Sequence, residues 1–367
     1  MNMMKASAIF ALGILLGIGV AVIGYRLHKH IDLATKAQHL KDHALVALDR
    51  AFGSRVRAAK LEHIVPPAPY FPPGAIWTQD ISHAPLDPQS STIIAWLADA
   101  GGWGNNNKMQ IDFGMRVVQA DANMPFVPVE GLVPDADSDH PATFPLPAGG
   151  GIENGSGYQC DTGQNDCHLL VVNHGQGKLY EAYQANYAGN VLKAGFVTIW
   201  DLNRVYPPSG RGDQCSSSDA AGFPIAPLLF NADEIATGSI NHAIRFILPS
   251  PRIRAHAFVH PATHAGGATA PTPAPPYGVR FRLKASYDMS QLSPEAQVVA
   301  RAMQKYGMFL SDCGNMALTA QNDADTKAKY AGLGFDSHSL RELKVTDFEV
   351  VDMGTPIHLT LNCVRNR

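Results

Sequence analysis

HLLVVNHGQGKLYEAY, residues 168–183, is the stretch on which the fold turns. Two short runs rich in Leu, Val and aromatic residues flank a four-residue, glycine-bearing link, the signature of a β-hairpin. Pairing Asn173 with Lys178 makes the residue numbers across the ladder sum to a constant. His168 then lies opposite Tyr183, and Leu170 opposite Glu181. Side chains alternate along a strand, so His168, Glu181 and Tyr183 share one face, with Asp166 just before it. A one-residue slip would separate them. An imidazole and a carboxylate on adjacent strands can serve as acid and base.

Outward from the hairpin the same grammar continues. FVTIWDL follows it, AIRFIL spans Ala243 to Leu248, and GVRFRLKASYD spans Gly278 to Asp288. In the last of these, Val279, Phe281, Leu283 and Ala285 face one way, and Arg280, Arg282 and Lys284 form a basic strip facing the other. DFEVVD and IHLTLN read as closing strands. One helix is well specified, with Ser293 as N-cap, Pro294 in the first turn and Gly307 as its stop. Its apolar face is Val299, Ala302, Met303 and Tyr306. With 33 Gly, 26 Pro and only 17% charged residues in 367, the chain reads as mainly β. The expected architecture is a two-sheet β-sandwich, jelly-roll or concanavalin-like, with at least one packed helix.

The N-terminal end has a different character. Ala6 to Gly24 is apolar and uncharged, near the lower limit for a spanning helix. Residues 1–30 are read as a transmembrane anchor or signal segment, 31–65 as a helical stalk and Pro-rich linker, and 66–367 as the globular domain. The basic residues Arg26, Lys29, Lys36 and Lys41 follow the apolar run, which by the positive-inside rule points the domain inward. Against this, Cys160 and Cys167 flank a short polar loop suited to a disulfide in an oxidising compartment. The expectation is an inner-membrane anchor with the domain in the periplasm or outside the cell. A formal charge of -3 sets nucleic acid aside.

Candidate chemistry lies in three further places. The apolar segment from Ser216 to Ile235 is bracketed by Asp219 and by Asp233-Glu234, and paired carboxylates suit glycoside hydrolysis. His242 precedes Arg245 at the start of a strand, while Pro261 argues against a helical metal site at His260 and His264. Asp135, Asp137 and Asp139 lack the Gly and Glu that an EF-hand needs. P-loop, dinucleotide-binding and nucleophile-elbow motifs are absent from the sequence.

SDAAGFPIAPLLFNADEIATGSINHAIRF, PPYGVRFRLKAS, RAMQKYGMFLSDCG and DFEVVD together resemble a family of secreted, largely uncharacterised bacterial β-sandwich proteins. The resemblance runs from about Pro72 to Asp352. It implies export, and it matches the family's pattern at Asp166, His168, Tyr180 and Glu181. The family's A-D-N-G reads here Ser311-Asp312-Cys313-Gly314, which keeps the Asp and replaces the Asn.

The resulting expectation is a membrane-anchored hydrolase acting on a polysaccharide or cell-envelope glycan. Asp166, Glu181 and Asp219 supply the carboxylates, and His168 and His242 orient substrate or relay protons. Tyr183, Glu234, Arg245 and Asp312 contact substrate, and no metal or cofactor is called for. The alternative is a non-catalytic carbohydrate- or surface-binding domain.

Overall fold

The computed structural model describes residues 69–366 except 122 and 134–136. The expected anchor, stalk and linker, and Asp135, lie outside the described residues. No helix among the described residues is long and apolar enough to cross a membrane.

The first strands are β1 (Ile111–Met115), β2 (Val117–Ala120), β3 (Phe126–Glu130) and β4 (Thr143–Pro145). The hairpin follows as β5 (Leu169–Asn173) and β6 (Lys178–Tyr183), then β7 (Asn186–Ala188), β8 (Val191–Lys193) and β9 (Phe196–Asp201). Beyond them come β10 (Ile244–Leu248), β11 (Ala257–Phe258), β12 (Arg280–Leu283), β13 (Met308–Cys313), β14 (Leu318–Gln321), β15 (Phe348–Val351) and β16 (Ile357–His358). Three helices matter below: α1 (Ser90–Asp99), α2 (Ala232–Thr237) and α3 (Pro294–Lys305).

The described residues are mostly β, and their strands fall into four sheets where the sequence leads one to expect two. Their orders are β1-β14-β10-β13-β12-β15, β2-β5-β6-β9, β4-β3-β8-β7 and β11-β16. β1 and β2 are separated by Arg116 alone, so one stretch of chain passes from the first sheet to the second. The hairpin pairs as its sequence predicts, with Leu170 opposite Glu181 and Asn173 opposite Lys178.

The second sheet carries apolar cores on both faces. Leu170, Val172, Leu179 and Trp200 join the core that also holds β10, β12 and β13. Leu169, Val171, Tyr180, Ala182 and Val197 pack with Val127, Phe144 and Leu192 of the third sheet. A doubly buried sheet accounts for the unbroken LLVV run, because neither face needs polar residues. It also places the face carrying Glu181 inside the protein, where a one-sided sheet would have left it in water.

α3 forms as read. Ser293 Oγ accepts from the Ala296 N–H at 3.2 Å, and Ala296, Val299, Ala302 and Met303 are buried. Gly307 takes φ +70°, and a Cβ there would lie 2.7 Å from the Phe281 carbonyl oxygen, so only glycine fits. The basic strip is corrected. β12 stops at Leu283, and all four of its residues are buried. Arg280 donates to the carbonyls of Tyr306 and Gln79, and Arg282 pairs with Glu349 at 2.7 Å and donates to the Ile81 carbonyl. The segment preceding α1 covers these side chains, a contact between residues some two hundred positions apart.

Candidate active site

Asp312 owes its position to a β-bulge. β10 and β13 run parallel with Phe246 opposite Leu310 and Ile247 opposite Asp312, which leaves Ser311 as the extra residue. Such a bulge re-aims side chains. Ser311 Oγ accepts from Arg245 Nε at 3.0 Å. Arg245 is buried, and its other nitrogens reach Thr319 Oγ1 at 2.9 Å, Asp219 Oδ2 at 2.6 Å and Asp312 Oδ2 at 3.5 Å. One guanidinium thus serves two carboxylates. Burial, only partly offset by Arg245, raises both acids, with Asp219 pushed up to about 7. The Asp219 side chain has no exposure, whereas that of Asp312 is 24% exposed. Asp312 is therefore the member of the pair that meets solvent.

Beside it lies a second ion pair. His168, buried at the start of the hairpin, donates from Nδ1 to Glu153 Oε2 at 2.8 Å, and its Nε2 lies 3.1 Å from the Ser218 carbonyl oxygen. Both ring nitrogens face acceptors, which assigns protons to both. Burial would lower the imidazole pKa, but the bond and charge of Glu153 outweigh it and raise it. Burial would likewise raise Glu153, and His168 outweighs it and holds the carboxyl low.

These groups line one cavity of about 240 Å³ with Asp112, Asp166 and Cys313. Burial raises Asp112, whose Oδ1 accepts from the Gly114 N–H at 2.8 Å. Asp166 is exposed and accepts from the Tyr183 hydroxyl at 3.4 Å; the Tyr183 and His168 rings are 5.5 Å apart. Cys313 is a free thiol, but both His168 nitrogens are engaged elsewhere, so no thiol–imidazole nucleophile is assembled. The carboxylates do not converge on a metal position. Among the described residues the one group of possible ligand atoms within 4.8 Å of one another is Asp137, Cys215 and Cys363, and its sulfurs are joined as a disulfide.

The residues singled out from sequence divide among three places. Asp166, His168, Arg245 and Asp312 line the cavity, with Tyr183 bonded to Asp166 and Asp219 behind Arg245. Glu181 shares the face of His168 in the hairpin but does not line the cavity. Its Oε1 accepts from the Ile225 and Ala226 N–H groups at 2.7 and 3.0 Å, and its Oε2 from Trp200 Nε1 at 3.0 Å. Burial pushes it up to about 7 despite these donors. Glu234 and His242 pair with each other at 3.1 Å on a separate cavity. The segment Ser216–Ile235 therefore threads all three places. Its backbone meets Glu181, Asp219 meets Arg245, and Glu234 caps α2 while holding His242.

Two cavity acids were missed in the sequence. Asp112 sits in β1 opposite Thr319 of the parallel strand β14. Glu153 sits in the glycine-rich GGGIENGSG, and a lone acid in such a loop was the available signal. The acidic run is tied down: Asp139 bonds Arg211 and Arg365 at 3.0 and 2.6 Å, and Asp137 accepts from the Ser216 N–H at 2.6 Å. Cys160–Cys167 forms the expected disulfide, and Cys215–Cys363 forms a second. No family model, curated protein or solved structure matches the chain, so the site is read from its own geometry.

Proposed function

We propose that the protein is an acid/base hydrolase acting on a polysaccharide or cell-envelope glycan. The observation that carries this reading is the pair Asp312 and Glu153. They line one cavity, and their surroundings push them in opposite directions, Asp312 up and Glu153 down. Opposed environments are how two carboxyl groups take the roles of acid and base. Asp312, its carboxyl raised by burial and its side chain partly exposed, gives its proton to the leaving oxygen. Glu153, its carboxyl held low by His168, takes a proton from the water whose oxygen attacks the sugar carbon from the opposite side as the bond to the leaving oxygen breaks. Asp166 and Asp112 accept hydrogen bonds from substrate hydroxyls, and Arg245 holds Asp312 in place. Asp219 and Glu181 act behind this wall.

Export with anchorage in the inner membrane, the domain lying in the periplasm or outside, belongs to the same proposal. Two disulfides favour an oxidising compartment, and the resemblance to secreted bacterial proteins points the same way. The non-catalytic carbohydrate-binding alternative is less favoured, because such sites stack sugars on aromatic faces. Among the described residues, the cavity wall has no aromatic ring apart from the His168 imidazole.

The test is turnover by the purified full-length protein on a panel of glycans, compared with Asp312→Asn and Glu153→Gln. Cleavage by wild type and a loss of about 10²–10⁴-fold in each variant is expected for acid/base groups. Equal turnover in all three removes the assignment, and no cleavage of any glycan defeats the hydrolase reading.

A further inference from the structure

A larger cavity of about 470 Å³ lies at the turn end of the β5–β6 hairpin, and it shares no lining residue with the acid cavity. His168 marks one end of β5 and His174 follows the other, six residues on. At about 3.3 Å per residue the two places are roughly 20 Å apart.

The walls are built from side chains that already hold one another in position. His242 is buried and donates from Nδ1 to the Ala243 carbonyl at 2.7 Å and from Nε2 to Glu234 Oε1 at 3.1 Å. Glu234 Oε2 in turn accepts from the Asn231 N–H at 3.0 Å. Across the cavity His174 Nε2 meets Gln119 Oε1 at 2.7 Å, and Gln119 Nε2 donates to the Tyr70 hydroxyl at 3.3 Å. Leu202, Pro227 and Leu229 supply apolar surface, and Asn203 lies on the exposed rim.

This lining selects its ligand by charge. Among the described residues it contains no Lys or Arg, so a phosphate or carboxylate finds no fixed cation. Its one acid, Glu234, is matched by His242, so a cation finds no free anion. What remains is a set of amides, imidazoles and a phenol beside apolar patches, which suits a neutral molecule bearing many hydroxyls. The volume falls within the usual range for ligand sites, about 300–1,000 Å³.

We propose that this cavity is a second saccharide-binding site, which holds a neutral sugar unit of the glycan at a distance from the bond being cleaved. This proposal rests on the hydrolase reading for the identity of the polymer, but the site binds sugar whether or not cleavage occurs.

The experiment is a calorimetric titration of the full-length protein with cellotetraose, maltotetraose and a β-1,4-linked N-acetylglucosamine tetramer. It compares wild type with Gln119→Ala/His174→Ala and, separately, with Asn203→Ala. All three side chains are exposed, and near-UV circular dichroism checks that each variant is folded. Wild type is expected to bind at least one tetramer, with Kd raised about tenfold or more in the double variant and raised in Asn203→Ala. Unchanged Kd in folded variants, or no binding of any tetramer by wild type, overturns the second site. Binding that the variants lose, in a protein that cleaves none of the glycans, supports this site and removes the hydrolase reading alone.

Discussion

The Nδ1–H of His168 donates to Glu153 Oε2 at 2.8 Å, joining the first residue of the hairpin to a loop fifteen residues earlier. The His168 side chain is 4% exposed and that of Glu153 14%, so water does little to replace either partner. Replacing His168 by Gln leaves Glu153 without its counter-charge. Breaking such a buried pair costs about 3–5 kcal/mol, here toward the low end because Glu153 is not fully enclosed. Urea unfolding checks this. The pair's contribution depends on pH from both sides. The raised imidazole gives stability that is complete below its ordinary value of 6.5 and is lost as pH rises through its folded pKa. The lowered carboxyl gives stability that is present above 4.5 and is lost as pH falls through its folded pKa. The difference in stability between wild type and His168→Gln should therefore be greatest between about 4.5 and 6.5.

Arg245 lies between two acids, 2.6 Å from Asp219 and 3.5 Å from Asp312. Arg245→Met should destabilise the fold by about 3–5 kcal/mol, because it strands Asp219 in the core. Arg245→Met/Asp219→Leu should recover part of that loss, since it removes the more deeply buried of the two acids that Arg245 serves and leaves only the partly exposed Asp312 without its cation. A double-mutant cycle in urea measures the coupling, and additive losses would show that the pair is not coupled.

Glu181 carries a stability slope of its own. Burial raises it from an ordinary 4.5 to about 7. The folded protein therefore holds this proton where the unfolded chain has released it. Stability from this group is complete below 4.5 and is lost as pH rises to about 7, by roughly 3 kcal/mol at about 1.4 per unit. Glu181→Gln should abolish that slope. It should also cost about 1–3 kcal/mol, because an amide turns a donor toward Trp200 Nε1 or toward the Ile225 and Ala226 N–H groups. Unfolding free energies measured from pH 4 to 8 test both effects.

The two disulfides should differ in worth. Cys215–Cys363 closes a span of 148 residues and Cys160–Cys167 one of 7. Loop entropy assigns about 5 kcal/mol to the first and about 2 to the second. Replacing each pair by Ser, one pair at a time, and comparing Tm should show the larger loss for Cys215–Cys363. Equal losses would show that strain or residual unfolded structure outweighs loop length.

What the sequence determined by itself was local. The register of β5 and β6 follows from a glycine-bearing turn between two apolar runs, and it placed Leu170 opposite Glu181 without further help. The start and stop of α3 follow from Ser293, Pro294 and Gly307, whose effects reach no further than a turn. The short Cys160–Cys167 loop was legible for the same reason.

Only the tertiary structure decided which side of each element is wet and which acids meet. Period-2 alternation marks a face but does not say whether another sheet or a loop covers it. Glu181 is therefore locked onto Trp200 and a distant backbone, and Arg280 and Arg282 are roofed by residues 79–84. The meeting of Asp312, Arg245 and Asp219 depends on a bulge at Ser311 and on parallel pairing of β10 with β13, whose partners lie more than sixty residues apart. Glu153 and Asp112 reach the cavity through a loop and a strand that carry no motif. Glu234 and His242 were grouped with the hairpin acids because both had suitable chemistry. Depth and direction separate them, and those come from packing between sheets, which one-dimensional spacing does not encode.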